Sequence, residues 1–246
     1  IIFTDSEPSD LINNITFPFA GVICTPSCYL KELGDKQVRY DGYHEIAYLH
    51  PDYFIPDPSI LDQFGTEGKE KNIVLRFISW GASHDIGLAG LKEATNIIDT
   101  LESYGNIRIT SERKLPPRFE KYRIAIPPEK IHSLLYYSDL YMGEGGTMAV
   151  ESALLGTPAI HIEGNSEGVA MGNFSGNFLD LRDNYGLLDF YPDQEQALRK
   201  AVEILEDEKS KGEWMQKRKK LFNDKIDVTK WMVDFVEQYP ESLRGI

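Results

Sequence analysis

Short apolar runs alternate with helix-like segments along almost the whole chain, and this alternation limits the possible folds more than any other feature. Ile73–Ile78 and Ala159–Ile162 have the composition of buried strands, whereas Leu88–Tyr104 and Glu195–Glu206 have helical spacing. Strands that alternate with helices of about 10 to 15 residues predict parallel sheets built from βαβ units. The first 45 residues show the same alternation in shorter elements, beginning with the strand-like run Ile1–Thr4.

A change of composition after residue 50 divides the chain. Pro51, Pro56 and Pro58 fall close together and are followed by glycines and charged residues, a composition typical of a linker between domains. We therefore expect four segments, namely the C-terminal part of a first domain at 1–50, a linker at 51–70, a second domain at 71–222 and a C-terminal helix at 223–246 that packs back on the first domain.

The start of the chain is unusual for an α/β domain. It begins directly on the strand-like run Ile1–Thr4 and has no initiator methionine. We therefore expect further residues upstream, and with them the rest of the first domain.

Composition excludes several classes of partner. The chain carries 39 acidic and 26 basic side chains, a formal net charge of −13. Duplex nucleic acid and an anionic membrane surface would repel it, so we expect neither as a partner. No apolar run approaches the roughly 18 residues of a spanning helix, so we expect no stable membrane insertion. Cys24 and Cys28 lack the second ligand pair of a zinc site, and two cysteines fit a cytoplasmic protein.

The most informative segment is Ser138–Ile160, in which a strand, a glycine turn, a short helix and a second strand follow one another. Gly143, Gly145 and Gly146 leave the backbone bare where the strand turns into the helix. Free N–H groups at the start of a helix form a cradle for an anion, so we expect Gly146, Thr147 and Met148 to face phosphate groups. An alternative is that the glycines only permit close packing of helix and strand.

Glu151 lies on the first turns of the same helix. It is close enough to reach a ribose next to a bound diphosphate, where a carboxylate can accept from the two ribose hydroxyls. The segment lacks the Gly-Lys-Ser/Thr of a Walker loop and the Gly-x-Gly-x-x-Gly spacing of a dinucleotide fold.

This segment resembles the sugar-donor motif in the C-terminal domain of GT-B enzymes, and in particular those of the lipid II N-acetylglucosaminyltransferase and the non-hydrolysing UDP-N-acetylglucosamine 2-epimerases. In the transferase pattern, a small residue and a glycine begin the helix, a glutamate follows, and Gly-x-Pro ends the segment. The matching positions are Glu144, Gly145, Glu151, Gly156 and Pro158. Glu144 departs from the pattern, because a carboxylate beside a diphosphate would repel it unless it points away or has a partner.

The whole chain is also similar to a prokaryotic family of predicted glycosyltransferases, a domain of unknown function. The segments that carry this similarity are Asp5-Ser6-Glu7, Cys24-Thr25-Pro26-Ser27, Tyr43-His44-Glu45, Ile78-Ser79-Trp80 and Gly143–Gly146.

These resemblances imply a GT-B-like α/β fold with two Rossmann-like domains of parallel sheets, of which the N-terminal, acceptor-side domain is incomplete. Residues 71–222 would be the nucleotide-sugar-binding domain. The diphosphate would lie on Gly145–Met148 and the ribose on Glu151. Ser79 would face the phosphates, and Asn177 would bind the donor sugar through its amide.

Three residues of the first segment are candidates for proton transfer. Asp5 and Glu7 follow the first strand and can face the cleft, where paired carboxylates in different environments serve as acid and base. An alternative is that they cap the helix that begins near Leu11. His44 lies where the first domain ends and is a further candidate base.

The sequence therefore predicts a metal-independent hexosyltransferase that uses a nucleoside-diphosphate sugar, with UDP favoured, and an unidentified acceptor. No cofactor is expected beyond this substrate, and no Asp-x-Asp metal pattern is present. A UDP-sugar 2-epimerase and a non-catalytic nucleotide-sugar-binding protein remain the alternatives.

Overall fold

The computed structural model describes residues 1–7, 9–64, 71–78, 88–89, 94–112 and 114–243. Within these residues, strands and helices follow one another in α/β order. The strands are β1 (Ile2–Phe3), β2 (Ile23–Pro26), β3 (Gln37–Tyr40), β4 (Lys71–Phe77), β5 (Leu88–Ala89), β6 (Gly105–Ser111), β7 (Leu140–Gly143), β8 (Ala159–Ile162), β9 (Gly164–Asn165) and β10 (Leu188–Tyr191).

The helices are α1 (Asp10–Thr16), α2 (Ile46–Leu49), α3 (Ala94–Leu101), α4 (Ile131–Tyr137), α5 (Gly146–Leu154), α6 (Gly176–Asp183), α7 (Gln194–Glu206), α8 (Ser210–Asp224) and α9 (Val228–Glu237). None of these helices combines the length and the apolar character that crossing a membrane requires.

Two parallel sheets organise the described residues. The first has the strand order β1-β2-β3, and the second has the order β10-β8-β7-β4-β6. Every residue of β7 and β8 is buried. This is typical of parallel strands that are covered by helices on both faces. Because β4, β7 and β8 run in the same direction, their carboxyl ends meet at one edge of the second sheet.

The C-terminal helix α9 packs on the first sheet. The Trp231 ring lies 5.0 Å from the ring of Tyr40 in β3 and 5.1 Å from that of Phe235. The Thr229 hydroxyl donates to the carbonyl oxygen of Ala47 in α2. These contacts bury apolar surface on a sheet of short strands, which needs such a cover to be stable.

A partly buried polar cluster joins the segment after β3 to α6. The Tyr43 hydroxyl donates to the Asp180 carboxylate over 2.5 Å. The Lys225 ammonium lies 3.3 Å from Asp180 and 2.8 Å from Asp41. Since the lysine follows α8, this cluster fixes three separate parts of the chain relative to one another.

The long helix predicted over 88–104 is wrong at its N-terminal end. Leu88 and Ala89 form β5, which pairs antiparallel with β9 through Leu88 opposite Asn165. Among the described residues, helix α3 covers Ala94–Leu101. Pairing with a distant strand outweighs the weak preference of a single segment for helix, and such a contact is not visible in local spacing.

Two glycines allow a matched test of this packing. A Cβ at Gly105 in β6 would lie 2.2 Å from the carbonyl oxygen of Lys71, which belongs to the neighbouring strand β4. A Cβ at Gly212 in α8 would have no heavy atom within 4 Å. We expect Gly105→Ala to lower the free energy of unfolding by about 1–3 kcal/mol, as overpacking does. Gly212→Ala should raise it by about 0.4–1 kcal/mol.

Urea denaturation of both variants measures these changes. Equal effects of the two substitutions would contradict the close approach of β4 and β6 at Gly105.

Candidate functional site

A pocket of about 430 Å³ lies at the edge of the second sheet where β4, β7 and β8 end. Its walls come from the loop after β1, the residue before α2, the turn between β7 and α5, the end of β8 and the segment that leads into α6. Both sheets therefore contribute to it. In open α/β sheets, a crevice beyond the carboxyl ends of the strands is the usual place for a ligand.

The glycine turn between β7 and α5 exists because the backbone passes close to β4. Gly143 pairs with Arg76 on one side and His161 on the other. A Cβ at Gly143 would lie 2.6 Å from the Arg76 Cβ and 2.8 Å from its carbonyl oxygen. The close packing of helix and strand, which is the alternative explanation of the glycines, is therefore present. It accounts for Gly143, while Gly145 and Gly146 line the pocket.

Helix α5 begins at the pocket wall. Gly145 is its N-cap, with extended backbone, and its carbonyl accepts from the Ala149 N–H over 3.1 Å and the Tyr141 hydroxyl over 3.0 Å. Gly146 and Thr147 line the pocket, whereas Met148 is half-buried and is not among the lining residues. The first N–H groups of a helix have no acceptor within it and carry its partial positive charge, which favours an anion at this point.

Glu144 is buried, with 2% of its surface exposed, and it lines the same pocket. Its Oε2 accepts from the backbone N–H of Ile78, the residue after β4, over 2.9 Å. This bond explains how an acidic side chain is accommodated next to the helix N-terminus, because a buried carboxylate needs such a donor.

Glu151 lies further along α5, outside the residues that line the pocket. Its Oε1 accepts from the Tyr48 hydroxyl over 3.0 Å and lies 3.0 Å from His132 Nε2. The ring centroids of Tyr48 and His132 lie 5.5 Å apart, with the ring planes tilted by 32°. A ribose that binds Glu151 would have to lie at this junction of α2, α4 and α5. The contact between Glu151 and a ribose stays a prediction.

Asp5 and Asn177 are brought together in the pocket from opposite parts of the chain. Asn177 Nδ2 donates to Asp5 Oδ2 over 3.3 Å, and Asn177 Oδ1 accepts from the Cys28 thiol over 3.2 Å. Both residues line the pocket. Asn177 is the second residue of α6, whose N-cap is Ser175. Its side chain is therefore directed to the loop after β1.

Glu7 is buried next to this pair but does not line the pocket. One carboxylate oxygen accepts from the Gly176 N–H over 2.7 Å, and the other accepts from the Leu30 N–H. Burial raises the pKa of this carboxyl above its ordinary value, and the two backbone bonds oppose that increase. The structure therefore places Glu7 as a brace that holds the start of α6 against the loops of the first sheet, and not in the pocket.

His44 and Ser79 are the two other predicted residues. His44 is half-buried and is not among the lining residues. Ser79 lies outside the described residues, as does the rest of the loop Ser79–His84.

The structure adds three titratable residues to the pocket that the sequence did not single out, namely His161, Glu163 and Glu45. His161 in β8 is buried, and its Nε2 lies 2.9 Å from Glu163 Oε2. Glu45 precedes α2 and is 6% exposed. A histidine inside the apolar strand β8 and a glutamate at the start of an apolar helix are signals that the sequence contains, but only the fold shows that they share a pocket.

The sequence matches one protein family over residues 1–237, described as a protein of unknown function, DUF354. The chain belongs to this family. An uncharacterized protein of Methanocaldococcus jannaschii is 30% identical over 174 residues, which are 65% of this chain and 50% of that protein.

Solved structures share the fold at low sequence identity. The S. aureus MnaA–UDP co-structure gives a TM-score of 0.61 at 13% identity, over 96% of this chain and 65% of that one. A putative UDP-N-acetylglucosamine 2-epimerase from Listeria monocytogenes gives 0.54 at 15% identity, over 96% and 64%. The predicted GT-B-like α/β fold with parallel, Rossmann-like sheets is thus confirmed. The chain spans about half to two thirds of the length of these proteins.

The structural role of Glu7 can be tested by stability. We expect Glu7→Ala to lower the free energy of unfolding by about 1–3 kcal/mol for each of the two buried N–H groups that it leaves without an acceptor. Glu7→Gln keeps one acceptor oxygen and should be less damaging.

Chemical denaturation with Glu32→Ala as the control measures this, because the Glu32 side chain is 85% exposed. If Glu7→Ala were no more destabilising than Glu32→Ala, Glu7 would not be a brace.

Proposed function

We propose that this chain is the nucleotide-sugar-binding part of a metal-independent glycosyltransferase, a hexosyltransferase with a nucleoside-diphosphate sugar as donor and UDP as the favoured nucleotide. The observation that supports this most directly is the glycine-led N-terminus of α5, which lies at the wall of a pocket at the carboxyl edge of a parallel sheet. This arrangement provides backbone N–H groups and helix polarity to a diphosphate without any basic side chain. The likeness to a structure solved with UDP agrees with this nucleotide.

The diphosphate would accept hydrogen bonds from Gly146, Thr147 and Met148. Glu151 would bind the ribose, and Asn177 would bind the donor sugar. Asn177 lines the pocket together with the first two of the α5 residues, so one ligand can reach both groups. During transfer, charge builds up on the leaving diphosphate, and N–H groups fixed in advance stabilise it in the transition state.

The charges around the pocket indicate which end of the donor would face the N-terminus of α5 and which end would face the acidic side chains. Carboxylates of Asp5, Glu45, Glu144 and Glu163 all line it. A diphosphate would be repelled by those of these groups that are ionised and attracted by the helix N-terminus. The sugar hydroxyls, which can donate hydrogen bonds to carboxylates, would face the acidic side.

A UDP-sugar 2-epimerase is the second candidate, and the acidic side chains beside the sugar position favour it, because epimerisation needs an acid and a base there. Incubation of the full-length protein with UDP-N-acetylglucosamine alone separates the two. Epimerised product without an acceptor would rule out pure transfer. Binding without turnover or donor hydrolysis would favour a non-catalytic binding protein.

We also infer a cytoplasmic location for the protein, where nucleotide sugars would be available and where Cys24 and Cys28 would stay reduced. Both cysteines are free thiols in the structure.

The helix N-terminus can be tested at Gly146, the first residue of α5. Proline is tolerated at this position and removes only the N–H group, and the extended backbone of Gly145 suits a residue before proline. We expect Gly146→Pro to weaken UDP binding about 10- to 100-fold, the range for a hydrogen bond to a charged group.

Gly146→Ala is the matched control for isothermal titration calorimetry with UDP. Its Cβ would lie 3.7 Å from Phe178, an ordinary contact, and the N–H is retained. UDP affinity that is the same in the proline variant and in the wild type would contradict phosphate binding at α5.

The ribose contact can be tested at Glu151. We expect Glu151→Ala to weaken UDP binding about 10-fold or more, because a buried carboxylate that accepts from hydroxyls is lost. Glu213→Ala, on α8 and outside the pocket, is the control. Circular dichroism checks that both variants fold. UDP affinity unchanged by Glu151→Ala would show that the ribose assignment is wrong.

A further inference from the structure

Glu45 has an unusual environment among the carboxylates of the pocket. It is 6% exposed, and its Oε2 is buried with no hydrogen-bond partner among the described residues. The residue nevertheless lines the pocket. A buried polar atom without a partner is unfavourable, so its presence calls for a functional explanation.

The other lining carboxylates have partners. Asp5 accepts from Asn177, Glu144 accepts from the Ile78 N–H, and Glu163 lies at hydrogen-bond distance from His161. Within the described part of the chain, Glu45 is therefore the lining carboxylate with a buried oxygen that has no hydrogen-bond partner.

The surroundings of Glu45 favour its protonated form. Burial raises the pKa of its carboxyl to about 8, and the like charges of Asp5 and Glu151 add to this increase. The hydroxyl groups of Tyr40 and Tyr48 also interact electrostatically with Glu45. A tyrosine hydroxyl is either neutral or negative, so neither group offers a positive charge that would favour ionised Glu45. A carboxyl group that titrates near the working pH can both accept and return a proton during turnover.

We propose that Glu45 is the general base of this pocket, which takes the proton from the acceptor hydroxyl that attacks the donor sugar. This inference rests on the proposed transferase function. It adds a residue that the sequence did not single out for catalysis, beside the candidates Asp5, Glu7 and His44.

In the proposed step, the acceptor hydroxyl oxygen forms a bond to the anomeric carbon of the donor while its proton passes to Glu45 Oε2. The bond between the anomeric carbon and the β-phosphate oxygen breaks, and its electron pair leaves with the nucleoside diphosphate. The N–H groups of α5 stabilise the charge on this leaving group. Protonated Glu45 then releases its proton to solvent before the next turnover.

The kinetic test compares the full-length wild type with Glu45→Gln, which keeps the size of the side chain and removes the base. Release of UDP from UDP-N-acetylglucosamine and UDP-glucose, with water as the acceptor hydroxyl, is followed from pH 6 to 9, and UDP binding is measured by calorimetry. We expect kcat to fall about 10²- to 10⁴-fold, the usual contribution of a general base, while UDP affinity changes less than about twofold. The wild-type rate should rise with pH up to about 8, the pKa of Glu45, and this rise should be absent from the variant.

Glu32→Gln is the control for this assay, because Glu32 is exposed and does not line the pocket. It should keep the wild-type rate and pH profile. If Glu45→Gln also kept both, Glu45 would not be the base, although the proposed function would stand. If the wild type bound no UDP and released none from either donor, the proposed function would fail, and this inference with it.

A second measurement does not depend on turnover. The pKa of Glu45 is higher in the folded protein than its ordinary value of 4.5. The folded state therefore resists ionisation of this group, and the wild type should lose stability relative to Glu45→Gln as pH rises from about 5 to about 8. A stability difference that is the same at every pH would overturn the assignment of this titration to Glu45.

Discussion

The backbone of Gly143 runs so close to Arg76 that no side chain fits between them, and the pocket depends on this contact. It brings the end of β7 between β4 and β8, so that the chain leaves the sheet at the edge where all three strands end. Helix α5 then begins at the pocket wall with its free N–H groups beside the other lining residues. A bulkier residue would displace the start of α5 and, with it, the group that favours an anion.

The pocket has two electrostatic regions. The N-terminus of α5 supplies partial positive charge from the backbone, and the titratable side chains that line the pocket are mostly acidic. In a chain with a net charge of −13, the partial charge of a helix N-terminus is a local means of attracting a phosphate. Its effect falls off within about one helical turn, so it favours an anion only next to Gly146 and Thr147. Carboxylates beyond this range would accept hydrogen bonds from hydroxyl groups and repel a second anion. The proposed donor, with a charged end and a hydroxylated end, would suit both regions.

Much of the second sheet could be predicted from the sequence, because strands buried on both faces are continuous apolar runs. The strands β4 and β8 were expected close to their observed bounds, and β7 and α5 were expected in their observed order within Ser138–Ile160. The edge strand β10 was missed, since it alternates buried and half-buried residues over only Leu188–Tyr191. The pairing of β5 with β9 and the meeting of Asp5 with Asn177 depend on contacts between distant residues. Local spacing contains no information about such contacts.

The two buried glutamates of the first segment show why residue type alone does not identify a catalytic group. Glu7 was a candidate from its place after β1, but backbone N–H groups donate to both of its oxygens, and it does not line the pocket. Glu45 belongs to the segment Tyr43-His44-Glu45, in which the sequence favoured His44 as the base, yet Glu45 lines the pocket and its Oε2 has no partner among the described residues. A carboxylate whose oxygens both accept hydrogen bonds from backbone N–H groups is stabilised by them, and it exchanges a proton less readily. A buried carboxylate without a partner is unfavourable until a ligand supplies one, and this difference makes Glu45 the stronger candidate for chemistry.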